Sequence, residues 1–213
     1  MKTAAIIPVK TFLRAKTRLG LFPEQKEKIC EIMLEEILHT LSISDQIDKI
    51  IIVTKDKKAL NISDKFDAIS IMDDKESGVN DAVALADKYL LNNGFDTSIV
   101  VPQDIPYIKT QDIDFMLKFK TDSNFAIVVP SRRFDGTNAL VRNPVNLMKT
   151  HYDEDSYKIH MSTAREATRD VSLVFVKRIM WDVDNMEDLK FLLDHHEKLD
   201  VAKKIQIVLE SKN

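Results

Sequence analysis

A cluster of basic side chains follows the first apolar segment of this sequence. Residues 4–9 are apolar, and Lys10, Arg14, Lys16 and Arg18 come directly after them. Ligands of open α/β sheets bind at the carboxyl ends of buried strands, so cations at such an end are well placed to bind a polyanion, most simply a nucleotide triphosphate. The alternative is a solvated basic loop. Carboxylates that follow other apolar segments favour the first interpretation.

One of these carboxylates is Asp104, which stands between Pro102 and Pro106 just after the predicted strand 98–101. The two prolines restrict the backbone and help to keep Asp104 out of a helix or a sheet ladder. Magnesium takes few oxygens from a protein and leaves the other positions to water and phosphate. Asp104 is therefore predicted to bind Mg²⁺, and capping of the following helix is the alternative.

Two further carboxylates, Asp182 and Asp184, alternate along the chain, so in an extended segment they project to one face. Such close like charges are unfavourable unless they are solvated or bridged by a cation. Asp184 precedes a helical pattern that begins near residue 186, so helix capping is its alternative role. We predict that at least one of the two binds a metal ion.

Two polar segments are expected at the same edge of the sheet. Residues 76–82 place small and amide side chains at a helix N-terminus, where free N–H groups suit an anion or the edge of a nucleobase. An ordinary helix cap is the alternative for this segment. Arg132, Arg133 and residues 136–138 follow a later strand and offer a second patch of cations and hydroxyl groups.

The elements that must position these residues are predicted from apolar periodicity. Strands are expected at residues 4–9, 49–54, 68–72, 98–101, 125–129, 139–142 and 171–176, and helices at 23–41, 80–91, 112–119, 155–168 and 186–196. Residues 201–209 fit a helix or a strand. This alternation predicts an α/β fold with three layers, α/β/α, around a mainly parallel mixed sheet, in one domain that spans residues 1–213.

Composition excludes several classes of protein. The 213 residues include 31 basic and 34 acidic side chains, so nothing suggests binding to nucleic acid, and no apolar stretch approaches the roughly 18 residues of a membrane span. The sequence contains no P-loop and no Gly-x-Gly-x-x-Gly motif, which disfavours P-loop NTPases and standard dinucleotide oxidoreductases. With a single cysteine, Cys30, a soluble protein of the cytoplasm is expected.

Several short motifs, spread over nearly the whole chain, match the pattern of one family. They are Ile6-Ile7-Pro8-Val9-Lys10 with Ala15-Lys16-Thr17-Arg18-Leu19, Gly78-Val79-Asn80, Asp104-Ile105-Pro106, Gly136-Thr137-Asn138-Ala139-Leu140, and Asp182-Val183-Asp184 with Glu187-Asp188-Leu189. Together they resemble the 2-phospho-L-lactate guanylyltransferase family, whose members help to build the deazaflavin coenzyme F-420 of methanogens. The Gly-Thr-Asn-Ala-Leu string distinguishes this family from other nucleotidyltransferases of the fold.

The resemblance implies a nucleotide-diphospho-sugar-transferase-like fold and transfer of GMP from GTP to 2-phospho-L-lactate with release of pyrophosphate. It implies Mg²⁺ as cofactor, GTP and a small phosphorylated acid as binding partners, and is compatible with a homodimer. The implied roles are nucleotide binding by Pro8, Lys10, Lys16, Arg18, Gly78, Asn80 and Asp104, with Lys16, Arg18 and Asp104 catalytic; acceptor binding by Arg132, Thr137, Asn138 and Ser156; and metal binding by Asp104, Asp182 and Asp184.

One segment departs from the family. Where the family usually has Phe-Gly-Pro-Gly-Ser-Phe, residues 152–157 contain Asp153, Glu154 and Asp155 before the retained Ser156. Carboxylates would repel an anionic acceptor, so this segment is predicted to face solvent or to bind a second Mg²⁺. The alternatives are a nucleotidyltransferase for another phospho-acid, such as phosphoenolpyruvate, or for a sugar phosphate, and a non-catalytic nucleotide-binding protein.

Overall fold

A seven-stranded sheet forms the centre of the computed structural model, which describes residues 1–153, 155–195 and 197–211. The strands are β1 (Thr3–Pro8), β2 (Lys49–Thr54), β3 (Ile69–Met72), β4 (Thr97–Val100), β5 (Phe125–Pro130), β6 (Thr137–Asn143) and β7 (Asp170–Leu173). Their order in the sheet is β3-β2-β1-β4-β6-β5-β7. Of these strands β6 alone runs antiparallel to its neighbours, so the sheet is mixed and mainly parallel, as predicted.

Helices cover both faces of the sheet. They are α1 (Pro23–Ser42), α2 (Lys57–Ser63), α3 (Val79–Asn92), α4 (Thr110–Leu117), α5 (Ser156–Ala167), α6 (Met186–Asp194) and α7 (Leu199–Glu210). Buried side chains of α3 and α5 pack on one face, and those of the other five helices pack on the opposite face. The three-layer architecture predicted from the sequence is therefore confirmed.

The alternation of side chains along β1 explains why its sequence is apolar without interruption. Ala5 and Ile7 belong to the core under α1, whereas Ala4 and Ile6 belong to the core under α3. All four side chains are fully buried. A central strand covered on both faces has no position left for a polar side chain, which is the usual pattern in parallel sheets.

The elements differ most clearly from the sequence prediction in three places, apart from shifts of one or two residues at other ends. α2 was not predicted, because a seven-residue helix is too short to show clear periodicity; the Asp56 carboxylate caps it. The ambiguous segment 201–209 lies within α7. β7 ends at Leu173, although the strand was predicted to reach residue 176. Val174 and Val176 lie beyond its end but are buried in the core, which explains why the apolar pattern continues past the strand.

Charge along the longest helix bears on the predicted absence of a membrane span. α1 has 20 residues, but Glu24, Lys26 and Glu27 already interrupt its first two turns. In the part of the chain that the structure describes, no helix is both long enough and apolar enough to cross a membrane.

A buried ion pair joins α3 to the sheet. The guanidinium of Arg142, on β6, is 1% exposed and donates to both carboxylate oxygens of Asp87, at 2.8 and 2.6 Å. It also donates to the carbonyl oxygen of Met148 at 3.2 Å. The pair fixes the position of α3, whose N-terminus borders the cleft described below.

Replacing Asp87 by alanine should lower the free energy of unfolding by about 3–5 kcal/mol, because it leaves the buried Arg142 guanidinium without its counter-charge. Urea denaturation followed by circular dichroism measures this change. The exposed Asp81, on the same helix, provides a control, since Asp81→Ala should change the free energy of unfolding by no more than about 0.5 kcal/mol. Equal effects of the two substitutions would contradict this account of the ion pair.

Candidate active site

A cleft of about 360 Å³ lies at the carboxyl ends of β1 and β4. Because β6 runs in the opposite direction, its first residue, Thr137, lies at this same edge of the sheet and lines the cleft. The lining residues also include Lys10, Lys16 and Asp104. Residues separated by more than 120 positions in the sequence thus meet where parallel strands commonly place a ligand.

The basic loop after β1 is held in place by two carboxylates. Glu76 accepts hydrogen bonds from the N–H and the hydroxyl of Thr11, at 2.8 and 2.9 Å, and Asp56 accepts the N–H of Phe12 at 2.9 Å. The Phe12 ring is fully buried. Burial would raise the pKa of Glu76, but Lys55 and Thr11 outweigh it, so the pKa is lowered and the carboxylate stays charged. The loop is therefore an ordered part of the cleft.

Lys16 is at the centre of the site. Its ammonium group donates to Asp104 and, at 2.7 Å, to Asp184, and its side chain is 8% exposed. Burial alone would lower the pKa of Lys16, but the two carboxylates outweigh burial and raise the pKa above its usual value. Lys16 has a positive φ of 52°, a strained conformation for a residue with a side chain, which is common at functional sites.

The other cations of the loop remain open to a ligand. Lys10 and Arg18 are exposed, and within the described ranges neither forms an ion pair. Arg14 lies 3.8 Å from Glu76, with its side chain 72% exposed. All three line the cleft. The loop therefore presents positive charge to the cleft that the protein itself does not neutralise.

The segment containing Asp182 and Asp184 is attached to the loop after β4. The N–H of Val183 donates to the carbonyl oxygen of Asp104 at 2.9 Å. Asn185 accepts from the first N–H groups of α6, so the helix cap is Asn185 and the alternative role considered for Asp184 does not apply. Asp104 is likewise no helix cap, since α4 begins at Thr110.

Asp182 and Asp184 have different environments. Burial and the nearby charge of Asp104 raise the pKa of Asp182 to about 6, although Asn138 donates to Asp182 at 3.0 Å and opposes the shift. Burial also acts on Asp184, but there Lys16 outweighs it and lowers the pKa. Asp182 is thus a carboxylate whose charge is poorly compensated, and a further cation close to it would stabilise the ionised form.

The carboxylates of this site are candidate ligands for a metal ion. Asp104 Oδ1 is buried and, among the described residues, has no hydrogen-bond partner. Carboxylate oxygens are suitable magnesium ligands, and Mg²⁺ in nucleotide sites commonly uses one or two carboxylates together with phosphate oxygens. Within the described part of the chain no three acidic, histidine or cysteine side chains form a metal-binding group. The donors fit a site completed by phosphate, and Mg²⁺ binding stays a prediction.

A hydrogen-bond chain orients the Thr137 hydroxyl. The backbone N–H of His151 donates to His160 Nε2 at 2.8 Å, so the ring proton must be on Nδ1, which lies 2.9 Å from Thr137 Oγ1. Ser156 donates to the same oxygen at 3.2 Å. Because Thr137 accepts both bonds, its own hydroxyl hydrogen remains available to a ligand in the cleft, which Thr137 lines.

The remaining predicted site residues lie around this centre. Arg132 and Arg133 both donate to Asp188, at 3.0 Å, and neither lines the cleft. Asn80 accepts the N–H of Tyr152 at 2.8 Å, and Gly78, with φ of 137°, precedes α3. The structure thus brings most of the predicted residues to one edge, but it places the two arginines beside α6.

Two residues of the acidic segment, Asp153 and Asp155, are among the described residues. Asp155 forms an ion pair with Lys158 and its side chain is 58% exposed. Asp153 is exposed and lies 3.5 Å from the Asn80 amide nitrogen. Both positions agree with the predicted orientation toward solvent, whereas Glu154 lies outside the described residues.

Sequence reasoning did not assign the residues that hold this site together. Glu76 and Asp56 were not identified as supports of the basic loop, because each bonds to residues more than 40 positions away. His160 was not assigned a role. A histidine near a serine and a threonine in sequence gives no indication of which atoms will meet.

Comparison with known proteins agrees with this arrangement. The family model described as "Guanylyl transferase CofC like" matches residues 3–212. The chain belongs to this family. It is 32% identical over 195 residues to a phosphoenolpyruvate guanylyltransferase from Conexibacter woesei, covering 90% of this chain and 87% of that protein. It is 29% identical to a 2-phospho-L-lactate guanylyltransferase from Methanothermobacter thermautotrophicus, covering 92% of this chain and 86% of that protein.

A solved structure resembles the fold. It is described as a nucleotide-diphospho-sugar transferase from Desulfovibrio desulfuricans G20, with a TM-score of 0.75, 14% identity, and coverage of 98% of this chain and 97% of that chain. The predictions of the family, of the fold and of a nucleotidyltransferase activity are confirmed. No comparison tests the assigned roles of individual residues.

The His160 ring should stay neutral throughout the physiological pH range. Burial, followed by the nearby His151 and Arg142, lowers its pKa to about 3, so its NMR ring signals should not shift between pH 5 and 8 and should indicate a proton on Nδ1. In the unfolded chain the ring binds a proton near pH 6.5. The free energy of unfolding should therefore decrease as the pH falls from about 6.5 toward 3. A His160 signal that titrates near pH 6.5 would contradict the assignment.

Proposed function

We propose that this enzyme transfers a guanylyl group from GTP to 2-phospho-L-lactate, with release of pyrophosphate, as a step in the biosynthesis of coenzyme F-420. The observation that carries the proposal is the position of Lys16 between Asp104 and Asp184, in a cleft that also presents Lys10 and Arg18, which have no carboxylate partner among the residues that the structure describes. A bound triphosphate would be the anionic partner of those two cations. Membership of the family and the activities for which the two relatives are named support the choice of nucleotide and the class of acceptor.

The reaction requires no acid or base catalysis by a side chain. An oxygen of the acceptor phosphate attacks the α-phosphorus of GTP, a new P–O bond forms, and the bond to the bridging oxygen breaks, with its electron pair leaving on pyrophosphate. A phosphate is already ionised at neutral pH, so no side chain has to remove a proton. Catalysis then rests on positioning and on compensation of negative charge.

The cationic side chains have distinct tasks in this scheme. Lys10 and Arg18, at the mouth of the cleft, neutralise the triphosphate and the leaving pyrophosphate. Lys16 stays protonated between its carboxylates and holds positive charge on the floor of the cleft. Arg18 can make two parallel hydrogen bonds to phosphate oxygens, which a lysine cannot do.

Asp104, with Asp182 and Asp184, would hold the magnesium ion. The ion would supply compensation of the charge on the α-phosphate and the acceptor. The unpartnered Asp104 Oδ1 and the raised pKa of Asp182 support this assignment, since Lys16 contacts only the other oxygen of Asp104 and, among the described residues, no cation pairs with Asp182. Lys16 already compensates Asp184, so its ammonium group would share that carboxylate with the ion.

The acceptor half of the site is neutral and rich in hydroxyl groups. The Thr137 hydroxyl can donate to a ligand in the cleft, and Ser156, which is 2% exposed, donates a hydrogen bond to the Thr137 oxygen. A donor with no negative charge of its own suits the phosphate or carboxylate of a small phospho-acid. Because the two arginines are held by Asp188, we expect the acceptor to be bound by hydroxyl groups and not by a guanidinium.

Phosphoenolpyruvate is the second candidate acceptor. The relative that is 32% identical carries that activity in its name, and its acceptor has the same carboxylate and phosphate on a three-carbon skeleton. The two acids differ at carbon 2, which is planar in phosphoenolpyruvate and tetrahedral in phospholactate. Groups that bind only the phosphate and the carboxylate would accept both acids.

Replacing Asp104 by asparagine should lower turnover at least about a hundredfold, because it removes a negative charge next to the reacting phosphates. Pyrophosphate release from GTP, phospho-acid and Mg²⁺ measures the effect. Asp114→Asn, on an exposed position of α4, is the matched control and should retain the wild-type rate. Turnover of Asp104→Asn at the wild-type rate would remove Asp104 from the mechanism.

Among 2-phospho-L-lactate, phosphoenolpyruvate, 3-phosphoglycerate and a sugar phosphate, the first should be consumed with the highest kcat/KM. The same pyrophosphate assay, with GTP and Mg²⁺, ranks the four. A higher kcat/KM for phosphoenolpyruvate would show that it is the acceptor instead of phospholactate. A higher kcat/KM for the sugar phosphate would refute a phospho-acid acceptor. GTP binding without pyrophosphate release for any acceptor would identify a non-catalytic nucleotide-binding protein.

A further inference from the structure

A small recess opens from the cleft on the side away from Asp184. The recess and the cleft share Pro8, Lys10 and Val79, so a ligand can extend from one into the other. Beyond the shared residues, three apolar side chains form part of its walls. They are Val9, Val53 and Ala82, from β1, β2 and α3. Apolar walls beside a cationic phosphate site suit the faces of a nucleobase.

Asp73, directly after β3, is one of three charged residues that line this recess. The others are Lys10 and Glu76, and Glu76 is already bonded to Thr11 and Lys55. Asp73 is 7% exposed, and its Oδ1 accepts the N–H of Glu76 at 3.0 Å. In the ranges that the structure describes, Asp73 Oδ2 forms no hydrogen bond with the protein and Asp73 forms no ion pair. Asp73 Oδ2 is therefore an acceptor that the described residues leave free for a ligand with N–H groups.

The start of α3 adds the opposite kind of group. Gly78 and Val79 line the recess, and no side chain caps this 14-residue helix. The first N–H groups of a helix have no partner within the helix and can donate to an acceptor on a ligand. The recess therefore offers donors at Val79 and its neighbours and an acceptor at Asp73.

Guanine presents the complement of this pattern. Its Watson–Crick edge carries the O6 acceptor next to two donors, the N1–H and the N2 amino group. Adenine and cytosine present a ring nitrogen acceptor in place of N1–H, which would face the Asp73 carboxylate with like polarity. A site that hydrogen bonds a particular group strongly rejects analogues without it.

We infer that Asp73 selects the nucleobase: its carboxylate accepts the N1–H and N2 amino groups of guanine, while the N-terminus of α3 donates to O6. The inference rests on the proposed function, because a base attached to a triphosphate on the basic loop would lie in the cleft with its edge toward the recess. Lys10, which lines both spaces, marks the passage from base to phosphates. Asp73 thereby becomes a specificity-determining residue.

The test uses Asp73→Asn and xanthosine triphosphate, in which a C2 carbonyl replaces the amino group. Asparagine keeps one acceptor for N1–H and offers an N–H to that carbonyl. We expect the variant to lose about 30-fold or more in affinity for GTP and to gain affinity for xanthosine triphosphate, so that the ratio of the two changes at least about a hundredfold. Calorimetric titration measures both affinities without turnover.

Controls separate this inference from the proposed function. Asp74→Asn changes the exposed neighbouring carboxylate and should leave both affinities as in the wild type. Thermal melting shows whether Asp73→Asn folds, and Asp73→Ser, which also removes the carboxylate, provides a second variant that should lose GTP affinity. Unchanged GTP affinity in both folded variants, or tighter binding of ATP or CTP than GTP by the wild type, would overturn the inference.

The outcomes for the two proposals are distinct. If the wild type turns over GTP and Asp73→Asn does so equally well, the assignment of Asp73 fails and the guanylyl transfer stands. If the affinity ratio changes as expected but no phospho-acid supports pyrophosphate release, the recess is a guanine site and the proposed transfer fails.

Discussion

The ion-pair network of Lys16, Asp104 and Asp184 determines how the functional edge of the molecule is assembled. Lys16 is 88 residues from Asp104 and 168 from Asp184 in the sequence, yet its ammonium group contacts both. Two carboxylates this close would repel each other in a partly buried cleft without a cation between them. The ammonium group therefore allows the basic loop, the loop after β4 and the segment before α6 to converge. Removing it would leave negative charge uncompensated on two separate elements.

The network also requires that the basic loop have a fixed shape. Lys16 reaches the carboxylates from a left-handed backbone conformation, which is less favourable for a lysine than for glycine. Support comes from both sides of the loop, where Thr11 is held by Glu76 and Phe12 is buried in the core. The loop thus carries fixed cations where a flexible loop would first have to become ordered around its ligand.

The sequence was sufficient to predict the fold and the edge of the sheet where the site lies. β1 and β4 are visible as apolar runs because each is covered on two faces, and the polar residues that follow them must then lie at the same edge. The position of Arg132 could not be predicted in this way, because Asp188, its partner, approaches through the packing of α6. The same is true of His160, whose bonded neighbour Thr137 lies on a strand 23 residues earlier. Periodicity predicts which face of an element is buried, but it does not give the distances between side chains on different elements.

The direction of β6 has a consequence for how such an enzyme can diverge. The parallel strands β3, β2, β1 and β4 carry the basic loop and the recess at Asp73, whereas Thr137 is delivered by the reversed strand and Ser156 by the start of α5. The groups proposed for the two substrates thus come from different halves of the sheet. Under the proposed roles, substitutions in residues 137–157 would change the choice of acceptor during evolution. The residues that bind the nucleotide, on the other half of the sheet, would stay the same. The fold thus allows acceptor specificity and nucleotide binding to evolve separately within one chain.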